Sequence, residues 1–153
     1  MILALAVGAI GLIAVAGCGG GGSSSSAGAG NSESGGGFAA TAEAACAKAD
    51  KQIAALGTPQ QADVLEYMER TEAVIEELHR RVGAAAGDGA AEAAYVKGLA
   101  TAVPVLDQMT NAARNENYDA VRELSAGLVE IHLGELAEAA ELKVCAEVPV
   151  STS

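Results

Sequence analysis

The stretch that decides the fold is Val64-Leu-Glu-Tyr-Met-Glu-Arg-Thr-Glu-Ala-Val-Ile-Glu-Glu-Leu-His-Arg-Arg-Val82. Its apolar residues return every third or fourth position, which is the spacing of one face of an α-helix. Glu66 and Arg70 stand four residues apart with the acidic residue first, an order that stabilises an exposed helix face. The stretch therefore predicts an amphipathic helix that packs its apolar stripe against other helices. That stripe consists of Val64, Met68, Thr71, Ile75, Leu78 and Val82, and the further acidic–basic pairs are Glu76 with Arg80 and Glu77 with Arg81.

Three further helices are predicted on either side of this stretch. One covers about residues 38–56 and is stopped by Gly57, since glycine commonly ends helices. The next begins after Asp88 and contains Pro104, which we expect to kink it because proline lacks the amide hydrogen. The last covers about residues 118–142. The helix that contains the proline carries the apolar stripe Tyr95, Leu99, Ala102, Leu106, Met109 and Ala113.

Residues that commonly begin helices lie before the second, third and fourth predicted helices. Thr58-Pro59, with Gln61 three positions after the threonine, predicts a capping box at the start of the second helix. Asp88 is the expected cap of the third helix, and Asn115 or Asn117 is the expected cap of the fourth. These signals place the helix starts within short connections.

The composition favours an all-α fold. Ala, Leu, Glu and Arg dominate after residue 38, whereas the β-branched and aromatic runs that suit strands are missing. The 153-residue chain, without a leader and a linker, has the length of one compact domain. We therefore expect residues 38–153 to form an up-and-down four-helix bundle. An open array of helical hairpins is the alternative.

The net charge bears on the class of partner. It is −11 at pH 7, with only nine Lys and Arg residues. Phosphate binding needs clustered basic residues, so the charge argues against a nucleic-acid partner. It also argues against adhesion of the domain surface to anionic lipid. We expect an unknown protein or a small molecule as the ligand.

The chain begins with an uncharged apolar segment, residues 1–17, that ends at Val15-Ala16-Gly17-Cys18. Its length suits a secretory signal peptide. The four residues resemble the lipobox of bacterial lipoproteins, which has an aliphatic residue, two small residues and an obligatory cysteine. That resemblance implies export, lipid attachment to Cys18 and cleavage before it. Lipoprotein signals carry Lys or Arg near their start and this segment has none, which we expect to reflect either a start site placed too late or a truncated sequence. The alternative is an uncleaved N-terminal helix.

Residues 19–37 consist almost wholly of Gly, Ser and Ala. Such a composition cannot bury enough apolar surface to offset the cost of ordering, so we expect a flexible tether. Residues 18–37 therefore form the predicted lipidated cysteine and linker. The resemblance to lipoproteins extends to this low-complexity segment, and the helical part is similar in style to uncharacterised small lipoproteins of actinobacteria.

The two other cysteines, Cys46 and Cys145, bracket the helical part. Export would place them under oxidising conditions, which favour a disulfide between them and leave Cys18 for lipid. Cys46 falls on the apolar face of the first predicted helix, so it is expected to point inward. Two unpaired buried thiols are the alternative.

Few residues in the chain suit chemistry at a site. Glu76 and His79 form a Glu-x-x-His motif, but a di-iron centre in a helical bundle needs a second copy, and Val129 stands three positions before His132. A further hypothesis is haem ligation by His79 or His132, or by Met68 or Met109 of the apolar stripes. Serines lie almost wholly outside the helices, so we expect no enzyme, no catalytic residue and no cofactor.

The sequence thus predicts a lipoprotein anchored at the extracytoplasmic face of the cell membrane through lipid on Cys18. Its small acidic helical domain is expected to serve as a binding or envelope-associated module. The alternative function is a metal- or haem-binding bundle at the cell surface that uses His79 and His132.

Overall fold

A computed structural model describes residues 35–148, and these residues are helical throughout apart from short connections. No strand occurs within that range, so the predicted all-α fold is confirmed. The up-and-down order of four helices stays a prediction. The α-helices are α1 (Gly35–Leu56), α2 (Val64–Ala85), α3 (Ala90–Arg114), α4 (Tyr118–Val129), α5 (Leu133–Ala139) and α6 (Lys143–Ala146), and a 3-10 turn over Gln61–Asp63 precedes α2.

Each of the first four helices packs against the next, and the last short helix returns to the first. The helix α1 packs on α2, α2 packs on α3, and α3 packs on both α4 and α5. The helix α6 contacts α5 and α1. The two ends of the folded region are therefore held together through α6, although about 90 residues separate α1 from α6 in sequence.

The core forms from the apolar stripes that the sequence predicts. Every stripe residue of α3 is buried, and Tyr95 is the largest of the fully buried side chains. On α2 the buried residues are Thr71, Ile75, Leu78 and Val82, whereas Met68 is partly buried against the core. Cys46 is buried on α1, as expected. Helical periodicity thus identified which faces point inward.

The predicted fourth helix over residues 118–142 is wrong, because the chain there forms α4, α5 and α6. His132 and Glu141 adopt left-handed backbone conformations, with φ of 54° and 60°. At the end of α5, the Leu142 amide donates to the Ala137 carbonyl at 2.9 Å and the Glu141 amide donates to the Glu138 carbonyl at 2.9 Å. This is a Schellman motif, in which the residue after the left-handed one packs back against the helix. Burial of Leu142 there turns the chain toward α1.

Three predicted helix starts are also corrected. The helix α1 begins at Gly35, inside the predicted linker. The helix α2 begins at Val64 after the 3-10 turn, and Asp63 rather than Thr58 occupies its N-cap position. Gly89, not Asp88, occupies the N-cap position of α3.

The predicted cap of α4 is confirmed. Asn117 occupies the N-cap position of this helix, and its side-chain oxygen accepts a hydrogen bond from the Ala120 amide at 3.2 Å. An asparagine there satisfies one of the amides that a helix start leaves without an intrahelical partner. The start of α4 could therefore be predicted from the local sequence.

The ion pairs on α2 follow the predicted face with one change of partner. Glu66 pairs with Arg70 and Glu77 pairs with Arg81, as expected, but Arg80 also pairs with Glu77 rather than with Glu76. Hydrogen bonds from Arg81 and then Arg80 lower the pKa of the Glu77 carboxyl. These pairs lie at the surface, where each contributes little to stability.

Gly98 sets the distance between α3 and α5. A Cβ atom at this position would lie 2.7 Å from Leu136 Cδ1 and 2.9 Å from Leu133 Cδ2, closer than two carbon atoms can pack. Glycine at this position lets both leucine side chains lie against the α3 backbone, and a larger residue would require them to shift.

Candidate functional site

Cys46 and Cys145 are brought together where α6 meets α1. Their Sγ atoms lie 2.09 Å apart as a disulfide, their Cα atoms lie 5.0 Å apart, and 99 residues separate them in sequence. Cys46 is 0 % exposed and Cys145 is 5 % exposed. Because solvent hardly reaches either sulfur atom, this pair holds the two ends of the domain together rather than acting as a reactive thiol site.

Tyr95 of α3 packs its hydroxyl against this pair. The distance from Tyr95 Oη to Cys46 Sγ is 3.5 Å, and the hydroxyl is the donor because a bonded sulfur carries no hydrogen. Burial raises the pKa of Tyr95, and the negative charge of Glu43 raises it further. Tyr95 therefore remains a neutral phenol far into the alkaline range.

Glu43 of α1 caps the start of α6. Its Oε1 accepts a hydrogen bond from the Lys143 amide and its Oε2 accepts one from the Val144 amide, each at 2.8 Å. A helix start leaves its first amides without intrahelical partners and carries a partial positive charge, so a carboxylate fits there. The cap, the cysteine pair and Tyr95 together form one structural clamp on the last helix.

A cleft lies at the other end of α1, beside the first turns of α2. Its volume is about 220 Å³. This is smaller than the roughly 300 to 1,000 Å³ of pockets for larger organic ligands, so it suits a small group. Its apolar wall is made of Ala55, Leu56 and Pro59, its aromatic wall is Tyr67, and its polar lining is Thr58, Asp63, Glu66 and Arg70.

The charges around the cleft are not balanced. Glu66 Oε1 lies 2.5 Å from Arg70 Nη2, so these two side chains offset one another. Asp63 occupies the N-cap position of α2, yet its carboxylate makes no capping hydrogen bond. The end of α1 and the start of α2 contribute partial charges of about −0.5 and +0.5, which cancel. Asp63 is an exposed residue of the lining and has no ion-pair partner among the other lining residues, so the cleft carries one uncompensated negative charge.

The two histidines proposed as metal or haem ligands lie in different surroundings. His79 is half-buried on α2, whereas His132 is exposed between α4 and α5 and lies 3.4 Å from the Glu135 carboxylate. Within residues 35–148, no group of three His, Cys, Asp or Glu side chains is arranged to hold a metal ion. Met109 is buried in the core and Met68 packs at its edge.

The lipidation candidate, Cys18, lies outside the described residues, and so does the predicted leader. Sequence reasoning missed both Glu43 and the cleft. Glu43 gave no local signal, because the helix start that it caps is 100 residues away. Asp63 did give one: it stands just before the apolar stripe that starts at Val64, where N-cap residues are found.

Comparison with known proteins adds no relative. The chain matches no protein-family model, no curated protein and no solved structure with which it was compared. Between Gly35 and Val148, none of the helices combines the length and the apolar character that crossing a bilayer requires. The features from which a function is inferred are the predicted leader with Cys18, the disulfide clamp and the cleft.

Proposed function

We propose that this chain is an exported lipoprotein, held at the extracytoplasmic face of the cell membrane by lipid on Cys18, and that its helical domain is a binding module. The observation that carries this proposal is Val15-Ala16-Gly17-Cys18, which ends the uncharged segment of residues 1–17 and is followed by a Gly/Ser-rich segment. Small residues before the cysteine suit a protease groove, and a thiol accepts the lipid. Two or more acyl chains make such anchoring stable.

The arrangement of the other cysteines supports export. Cys46 and Cys145 lie side by side and 99 residues apart in sequence, so they account for each other and leave Cys18 for a different role. Disulfides persist in oxidising compartments and are rare in the reducing cytosol. A disulfide between these two residues thus suits a protein that works outside the cytoplasm.

One feature of the described residues supports a role in binding. The cleft beside α2 offers a small opening with one unbalanced carboxylate. A domain with such a cleft, tethered to a membrane, is suited to capture a small ligand near the surface.

The lipid anchor is tested by replacing Cys18 with Ala in the full chain expressed in a bacterial host. We expect the unchanged chain to sediment with membranes, to resist extraction by salt and to incorporate labelled palmitate. Cys18→Ala should lose the label and should shift in mobility, because lipid attachment and cleavage both depend on the thiol. Ser24→Ala, a change in the neighbouring low-complexity segment, is the matched control and should behave as the unchanged chain.

Because the predicted leader has no Lys or Arg, the experiment includes a second version of the chain in which two lysines follow Met1. Both versions are compared, because lysines at this position promote export of signal peptides. Palmitate on Cys18 in either version supports the proposal. If neither version carries the label while the host's own lipoproteins do, the proposed anchor is wrong.

A further inference from the structure

We propose that the cleft between the end of α1 and the first turns of α2 binds a primary ammonium group on a short alkyl chain. This inference rests on the proposed binding role of the domain and not on its lipid anchor. Three features of the cleft carry it: the unbalanced carboxylate of Asp63, the aromatic ring of Tyr67 and an apolar wall from the α1 end. Each matches one part of an alkylammonium ion.

The Asp63 carboxylate supplies the charge. A residue at an N-cap position ordinarily turns its side chain back to the amides of its own helix. Asp63 makes no such hydrogen bond, so its carboxylate is free to accept hydrogen bonds from a ligand ammonium. Glu66 is less available because Arg70 Nη2 lies 2.5 Å from its Oε1. One ammonium neutralises the negative charge of Asp63, which the Glu66–Arg70 pair does not offset.

Tyr67 and the apolar wall select the rest of the ligand. The ring of Tyr67 is half-buried and lines the cleft, and a cation over such a ring is attracted by its negative face. Ala55, Leu56 and Pro59 offer apolar surface to an alkyl chain. A volume of about 220 Å³ admits a chain of lysine side-chain length but not a large cofactor. Arg70 would attract an anion, but Glu66 already neutralises it.

The test follows amide shifts by two-dimensional NMR of the labelled full chain carrying Cys18→Ala, in mild detergent. Because this variant lacks the lipid site, failure of binding and failure of the anchor are measured separately. The probes are n-butylammonium, n-butanol and butyrate at equal ionic strength, so charge is varied at constant chain length. We expect butylammonium, with a Kd on the order of millimolar, to shift the amides of Leu56, Asp63 and Tyr67. Butanol and butyrate should shift them less.

Variants identify which contacts carry the binding. Asp63→Asn should weaken butylammonium binding about threefold, as expected for an exposed ion pair, whereas Asp88→Asn in the next connection should leave it unchanged. Tyr67→Leu should also weaken it about threefold while Tyr67→Phe should not, since only the ring is needed. Thermal unfolding of each variant checks that the fold is retained.

A further titration identifies the source of the ammonium, and three outcomes would overturn the proposal. Nα-acetyl-lysine N-methylamide is titrated beside butylammonium: tighter binding of the lysine derivative assigns the ammonium to a polypeptide side chain, and equal or weaker binding assigns it to a free amine. Either result supports an ammonium site. Equal shifts with butanol, stronger shifts with butyrate, or unchanged affinity in Asp63→Asn would overturn the proposal.

Discussion

Glu43 Oε1 accepts a hydrogen bond from the Lys143 amide at 2.8 Å, across 100 residues of sequence. Its Oε2 accepts a second one from the neighbouring Val144 amide at the same distance. One carboxylate on the first helix therefore holds the start of the last. A four-residue helix is far too short to be stable alone, so α6 depends on this contact and on the disulfide beside it.

Glu43→Ala should lower the free energy of unfolding by about 2 kcal/mol, because two charge-assisted hydrogen bonds to backbone amides are lost. Glu43→Gln should lose less, since one side-chain oxygen remains to accept. Urea unfolding measured by circular dichroism gives both values. Glu123→Ala, an exposed carboxylate on α4, is the control and should change stability little. A loss in Glu43→Ala no larger than in Glu123→Ala would contradict the capping role.

Removal of the cysteine pair should destabilise the domain strongly. A cross-link across 99 residues restricts the unfolded chain, and its loss costs on the order of 4 kcal/mol in the chain-entropy model. The double change Cys46→Ala with Cys145→Ala should unfold at a much lower urea concentration. Cys18→Ala should unfold as the unchanged chain does. Thiol labelling without reductant is a direct check, because labelling of both Cys46 and Cys145 would show that they are not bonded.

Gly98→Ala and Gly127→Ala should have opposite effects. Alanine favours a helix over glycine by about 1 kcal/mol, which Gly127→Ala should gain because nothing lies within 4 Å of its new Cβ. Gly98→Ala should instead lose about 1 kcal/mol, because its Cβ displaces Leu133 and Leu136. Thermal unfolding compares them, and hydrogen exchange should show the loss first in α5. A stabilised Gly98→Ala would mean that α5 does not pack as described.

Stability should fall at alkaline pH because of Tyr95. In the unfolded chain this tyrosine loses its proton near pH 10, whereas burial keeps it protonated in the folded chain, where its pKa is raised. The folded state then binds more protons, so stability is complete below pH 10 and declines above it, by up to about 1.4 kcal/mol per pH unit for this one group. Tyr95→Phe should show a shallower decline between pH 9 and pH 11 in urea unfolding. Parallel declines in both proteins would refute the assignment.

Local sequence determined most of the secondary structure and one face of each long helix. The stripes of α2 and α3 repeat every three or four residues, a spacing that needs no knowledge of the partner helix to be recognised. Asn117 capped α4 as expected because a cap acts within three residues. The break of the last predicted helix escaped recognition, since neither position 132 nor position 141 carries the glycine or asparagine that usually marks a helix end.

The pattern of residues thus predicted an all-α domain, the inward faces of its long helices and the inward position of Cys46. The packed structure was needed to find that the chain after Tyr118 splits into three helices, that Glu43 caps α6, and that Asp63 lines a cleft. These features differ in the sequence distance over which they act. Helix periodicity and caps act between residues a few positions apart, whereas burial of Leu142 and the Glu43 cap depend on groups that meet only after α1 and α6 have packed.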